Sequence, residues 1–152
     1  MRKDSRLSRM LHVLLHMARR EEPLTSEQIA QMLQTNPVVV RRTMAGLRKA
    51  GYVSSAKGHG GGWHLICDLQ QVTLLDIHQA VGGVRIFAIG TEGVDAQCAV
   101  ERTVNGALED VLQQAEQLVM QRLAEVSLAD LLSEFDASCV ASGWDERVRQ
   151  KR

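Results

Sequence analysis

Between Leu24 and Ile66 the apolar positions change their period twice. Ile29, Ala30, Met32 and Leu33 mark one buried face of a short helix. Thr25 caps that helix, and Gln28, three residues on, completes a capping box. Gln34-Thr35-Asn36 interrupts the pattern, and Asn36-Pro37 restarts it with an N-cap and a proline at the first helical position. Val40, Met44 and Leu47 then recur at i, i+4, i+7, and Gly51 after Ala50 ends the second helix. Two helices with so short a connection must cross steeply, as in a helix-turn-helix. Val53–Lys57 and Trp63–Ile66 read as two strands joined by the tip Gly58-His59-Gly60-Gly61-Gly62, where glycine tolerates positive φ. A helix-turn-helix followed by a hairpin is a winged helix. The predicted fold is therefore mainly α with a small β-hairpin wing.

The same reading extends in both directions. Leu7 to Arg20 carries the stripe Leu7, Met10, Leu11, Leu14, Leu15 and Ala18, with Ser5 or Asp4 available as cap. This helix is expected to pack beneath the helix-turn-helix. Thr73 and Asp76 form a second capping box that opens Leu74–Val81, and Gly82-Gly83 closes it. Residues 84–98 show little periodicity and read as a linker.

Ala99 to Glu125 is a long amphipathic segment in which Val100, Val104, Leu108, Val111, Leu112, Ala115, Leu118, Val119 and Leu123 keep three- and four-residue steps. A helix of that length spans roughly 40 Å at 1.5 Å per residue. Leu128–Phe135, capped by Ser127 with Asp130, is too short to cover it. The same helix of a second subunit is the most economical cover, so a homodimer is expected. The resulting division is 1–83 winged helix, 84–98 linker, 99–135 dimerisation helices and 136–152 a loosely ordered tail.

Charge distribution sharpens this picture. The chain has 152 residues and zero formal net charge, but Met1–Ile66 carries eleven Lys/Arg against four Asp/Glu, a net +7. Cys67–Glu146 carries three against fourteen, a net −11, and RVRQKR at the end adds +4. Positive charge gathered on the winged-helix half is the footprint of phosphate binding, so double-stranded DNA is the expected partner. The acidic half should point away from the duplex. An apolar fraction of 45% supports a core, and aromatics at 3% make it aliphatic. Three cysteines without a CxxC imply no disulfide framework, which suits the cytoplasm. No apolar run approaches the ~18 residues of a membrane span.

Candidate contacts follow from position. The outer face of the second motif helix offers Val38, Val39, Arg41, Arg42, Ala45, Arg48 and Lys49, and no acidic residue lies between Asn36 and Lys57. Arg41 and Arg42 are the main candidates for base edges, since arginine forks the O6/N7 edge of guanine, and Val38 and Val39 suit thymine methyls. Arg48 extends the basic face. Lys57, His59 and Gly60 on the wing would reach backbone or minor groove, and Thr25, Ser26 and Gln28 would hold phosphate at a helix amino end. Ser8 and Arg9 lie within phosphate reach but are as well explained as solvated residues. His12 and His16 have a spacing able to hold a metal, but no HExxH or nearby cysteine joins them. Polar positions beside a core stripe account for the pair, and neither metal nor cofactor is expected. A winged helix used only for protein contacts is the alternative. An enzyme is not expected: no Ser-His-Asp, paired-acid or phosphate-loop constellation is present, and GHGGGW is neither GxGxxG after a strand nor a Walker motif.

The blocks AGYVSSAKGHGGGWHL and VTLLDIHQAVGG, within Thr25–Gly83, resemble the Rrf-two family of bacterial transcription regulators. That family includes iron–sulfur, nitric-oxide and cysteine-metabolism repressors. The likeness runs through Cys98 to VSLADLL, and so covers most of the chain. It implies a dimeric repressor bound to an inverted repeat. Cluster-binding relatives hold three cysteines near the start of the long helix, whereas this chain has only Cys98 there. It is more similar to the single-cysteine, cluster-free group, in which Cys98 is a candidate redox sensor. The cluster-binding relative compared has Glu at the position of Arg41, so the resemblance transfers no operator sequence and no effector.

Overall fold

The computed structural model describes residues 4–83, 86, 87, 89 and 98–142. Most of the expected linker, and the basic end Arg147–Arg152, lie outside the described residues. Six helices and one two-stranded sheet follow in the order α1 (Arg6–Ala18), α2 (Ser26–Leu33), α3 (Pro37–Lys49), β1 (Val53–Ala56), β2 (Gly62–Leu65), α4 (Leu74–Ala80), α5 (Ala99–Glu125) and α6 (Leu128–Ser142). The winged-helix fold expected from the sequence is present.

Local chemistry sets most of the element ends. Thr25 Oγ1 accepts from the Gln28 N–H at 3.1 Å while Gln28 Oε1 accepts from the Thr25 N–H at 2.9 Å. Asn36 Oδ1 accepts from the Val38 N–H at 2.8 Å, and Pro37 opens α3. The turn between these helices is made by Gln34 in the left-handed region, φ 50°. Polar side chains at Gln34-Thr35 announce an interruption without showing which residue takes that conformation. At the start of α1, Ser5 holds the cap position without a side-chain bond, and Asp4 accepts the Arg6 N–H instead, at 2.9 Å.

The core lies between α1, α2, α3, α4 and the inner face of the wing. Met10, Val13, Leu14, Met17, Ile29, Val40, Met44, Leu47, Val53 and Ile77 are buried in it. Val13 and Met17 were not part of the expected α1 stripe; Leu7, Leu11, Leu15 and Ala18 are only half-buried. The buried stripe is rotated toward Val13 and Met17 because α1 is covered from two sides, by α4 and by α6. Gly46 allows the close approach of α4 to α3, since a Cβ there would stand 2.3 Å from the Ala80 carbonyl oxygen.

β1 and β2 are antiparallel, with Val53 opposite Leu65 and Ala56 opposite Gly62. The ladder ends at Ala56 on its outer side and at Leu65 on its inner side, so Lys57 and Ile66 fall outside it. Gly62 belongs to the strand rather than to the tip. The reason is a third short segment: Leu24 and Trp63 exchange backbone hydrogen bonds of 3.1 and 2.8 Å. A Cβ on Gly62 would lie 2.8 Å from the Leu24 carbonyl oxygen, so glycine is what lets this edge close.

Beyond the wing the chain departs from its expected division. The corner between α5 and α6 is tied to the winged helix by Leu74 N–H to Val126 O and Leu128 N–H to Val72 O, both 2.9 Å. Helix α6 does not stop at Phe135. It runs to Ser142 and packs on α1, with Leu128 and Cys139 buried. Arg19 clamps this contact, its guanidinium 5.2 Å from the Phe135 ring centroid and its Nε 3.4 Å from Asp136 Oδ1. Residues 136–142 are therefore helix and not tail, because Leu128, Leu132, Phe135 and Cys139 continue one face at helical spacing. By packing, α6 belongs with the winged helix. Helix α5 also packs on α4, yet none of its 27 residues is buried.

Candidate nucleic-acid interface

The amino end of α3, the amino end of α2 and the wing meet on one side of the protein. Val40, Met44 and Leu47 anchor α3 in the core, so its opposite face is turned outward. Val38 and Val39 are 55% and 51% exposed on that outer face. Arg41, Arg42, Arg48 and Lys49 are exposed beside them, and Ala45 is half-buried. The exposed set combines cations with short apolar groups, the pair of chemistries that a major groove displays targets for.

Two arginines have partners that sequence reasoning missed. Arg41 Nη1 lies 3.3 Å from Glu27 Oε1 on α2, with both side chains more than half exposed. So exposed a pair contributes little to stability and yields readily to a competing acceptor. Glu27 sits two positions into α2, so only the crossing of α2 with α3 reveals the contact. Arg48 Nη1 donates to Ser55 Oγ at 3.2 Å and lies 5.9 Å from the Trp63 ring centroid. It thus holds the carboxyl end of α3 against β1 and β2.

Trp63 is the pivot of the arrangement. Its indole Nε1–H donates to Ser26 Oγ at 3.0 Å in a buried contact. Ser26, 9% exposed, thus anchors the wing through its accepting oxygen and keeps its O–H as a donor. Thr25 and Gln28 likewise use side-chain oxygens in the capping box. Their donors, the Thr25 O–H and the Gln28 amide N–H groups, stand beside first-turn N–H groups that carry the positive end of the helix dipole. Between α2, α3 and the wing lies a cleft of about 410 Å³ walled by Thr25, Glu27, Arg41, Arg48, Ser55 and Trp63. Lys57, His59 and Gly60 are exposed at the wing tip, Gly60 at φ 75°.

A profile of the Rrf2 family, described as iron-dependent transcriptional regulators, matches residues 4–134. The chain belongs to the Rrf2 family. YwnA of Bacillus subtilis, named an HTH-type transcriptional regulator, is 32% identical over 131 residues, covering 86% of this chain and 96% of that protein. The crystal structure of a transcriptional regulator from Lactobacillus plantarum superposes with a TM-score of 0.72 at 25% identity, covering 87% of this chain and 90% of the other. CymR of Bacillus subtilis, called the global cysteine regulator, shares the fold with a TM-score of 0.57 at 21% identity, covering 88% and 98%. This Rrf2 protein is a DNA-binding transcriptional regulator with a winged helix, and not an enzyme. No described helix is long and apolar enough to cross a membrane.

The family description raises the question of iron, and the donor set answers it. The whole chain has three cysteines. Cys98 is exposed before α5, Cys67 is half-buried after the wing, and Cys139 is buried between α6 and α1. Among the described residues no three His, Cys, Asp or Glu side chains gather closely enough to hold a metal ion. A cluster needs several thiolates converging on a few irons, and these residues do not fit one. Cys98 differs from the other two in chemistry. The backbone N–H of Glu101, then that of Val100, favours its thiolate and lowers its pKa below the usual thiol range, although the sulfur makes no full capping bond. Burial pushes the Cys67 thiol the other way.

Proposed function

We propose that the protein is a homodimeric repressor that binds an inverted-repeat operator in the cytoplasm and responds to a redox or small-molecule signal without an iron–sulfur cluster. The observation that carries the DNA reading is the outer face of α3. Val38, Val39, Arg41 and Arg42 stand exposed together at its amino end, beside a wing that offers Lys57 and His59. In this motif that end of the helix enters the major groove. Homodimerisation is supported by α5, where Val104, Leu108, Val111 and Leu118 form an exposed apolar row with half-buried Leu112, Ala115 and Val119 alongside. Two-fold symmetry in the protein then maps onto two-fold symmetry in the operator.

Selection of bound fragments from random DNA tests the proposal directly. The expected product is an inverted repeat whose half-sites change preference at one base pair in Arg41→Ala, with a loss of about 1–3 kcal/mol there. Failure to enrich any sequence, together with binding that ignores salt, would point instead to a winged helix that contacts only protein. Phosphate contacts release counterions and make affinity fall steeply with salt, whereas protein contacts need not.

A further inference from the structure

His12 and His16 lie one turn apart on α1, and their Nε2 atoms face each other at 2.9 Å. Their ring centroids are 4.7 Å apart and the planes are inclined by 52°. The i, i+4 spacing explains why the two rings are neighbours. It does not explain why both turn the same nitrogen inward.

Metal–imidazole bonds of about 2.0–2.1 Å that meet at a right angle place their nitrogens about 2.9 Å apart, and at the tetrahedral angle about 3.3 Å. The observed separation matches two adjacent positions around a square-planar or octahedral ion, as well as the hydrogen bond that joins the rings without a metal. From this convergence we infer that His12 and His16 form a two-imidazole site for a late first-row divalent cation, Cu²⁺ or Ni²⁺ in preference to Zn²⁺. Imidazole suits these ions, and tetragonal geometry with nitrogen donors is theirs rather than zinc's.

The scaffold under the pair is rigid. Val13, Leu14 and Met17, which alternate with the histidines along α1, are buried in the core and fix the helix that carries both rings. The His16 ring also meets the edge of Phe135 on α6, with centroids 6.4 Å apart, and Phe135 is itself held by Arg19. Binding thus needs little reordering of the chain. In the metal-free pair, one Nε2–H donates to the other ring's Nε2 lone pair. On binding, the donating ring takes its proton on Nδ1 instead, so both Nε2 lone pairs reach the metal and a neutral pair releases no net proton. The same 2.9 Å suits that hydrogen bond, so the exchange needs only a rotation of the rings that turns both lone pairs toward one metal position.

The test is titration of the full-length protein with NiCl₂ by isothermal calorimetry, alongside histidine-ring NMR. The expected result is one Ni²⁺ per chain, with the His12 and His16 ring signals broadened before those of His59, His64 and His78. His12→Gln should weaken binding at least tenfold, and His16→Gln similarly, while His59→Gln leaves it unchanged. His12 is exposed, so its variant should retain the far-UV circular dichroism of the parent. Affinity within twofold of wild type in a folded His12→Gln protein, broadening that begins at another histidine, or no saturable binding would each overturn the assignment.

Discussion

Leu118→Asp is the sharpest probe of the proposed assembly, because the single chain and the dimer assign it opposite consequences. In the single chain Leu118 is 61% exposed, on a helix with no buried residue. Replacing an exposed leucine by aspartate there should change folding stability by about 0.5 kcal/mol or a little more, from surface effects and helix propensity. In a dimer sealed along α5 the same side chain is covered. Losing the burial of that exposed share removes about 1–2 kcal/mol per subunit. A two-fold interface counts that loss twice, so about 2–4 kcal/mol disappears from dimerisation before the carboxylate is considered. At about 1.4 kcal/mol per decade this raises the dimer Kd by about one and a half to three powers of ten. Burying an unpaired carboxylate adds several kcal/mol. Sedimentation velocity over a concentration series, with thermal melts by circular dichroism, reads both quantities. The expected protein is a folded monomer that no longer holds its operator. A Leu118→Asp protein with the parent's self-association constant would refute the placement of the interface on this face. A protein that loses its winged-helix fold would show that α5 is covered within its own chain.

Three further outcomes follow from the geometry. Ser26→Ala leaves the buried Trp63 indole N–H without its 3.0 Å acceptor, so chemical denaturation should show a loss of about 1–3 kcal/mol, and Ser26→Thr a smaller one. Lys57→Ala should weaken binding to all DNA sequences alike and flatten the slope of log K against log salt by about one unit; a base-specific effect would move Lys57 from backbone to groove. Cys98 should react with peroxide and with thiol probes before Cys67 and Cys139, since its pKa is lowered and it is exposed while theirs are covered, and mass spectrometry of partly labelled protein checks the order. If peroxide alters DNA affinity equally in wild type and Cys98→Ser, the cysteine has no sensing role.

Local chemistry was legible in the sequence wherever a side chain acts on its own backbone. The Thr25–Gln28 and Thr73–Asp76 capping boxes, the Asn36-Pro37 restart and the Gly51 stop all need only residues within one turn, so their spacing specifies them. The inner face of α3 was legible for the same reason: one helical period decides which side is buried. The unburied face of α5 followed from its length against the size of the rest of the chain. Contacts between elements were not legible, because they depend on angles that periodicity does not encode. The Arg41–Glu27 pair joins residues fourteen apart, and the Trp63–Ser26 bond joins residues thirty-seven apart. That bond makes the Ser26 oxygen an anchor for the wing. The rotation of α1 toward Val13 and Met17, and the extension of α6 through Cys139, arise because two helices distant in sequence cover each other. His12 and His16 mark the boundary between the two kinds of knowledge. Their spacing was visible from the start, but only packing against the core and against Phe135 decided which nitrogens face each other, and at what distance.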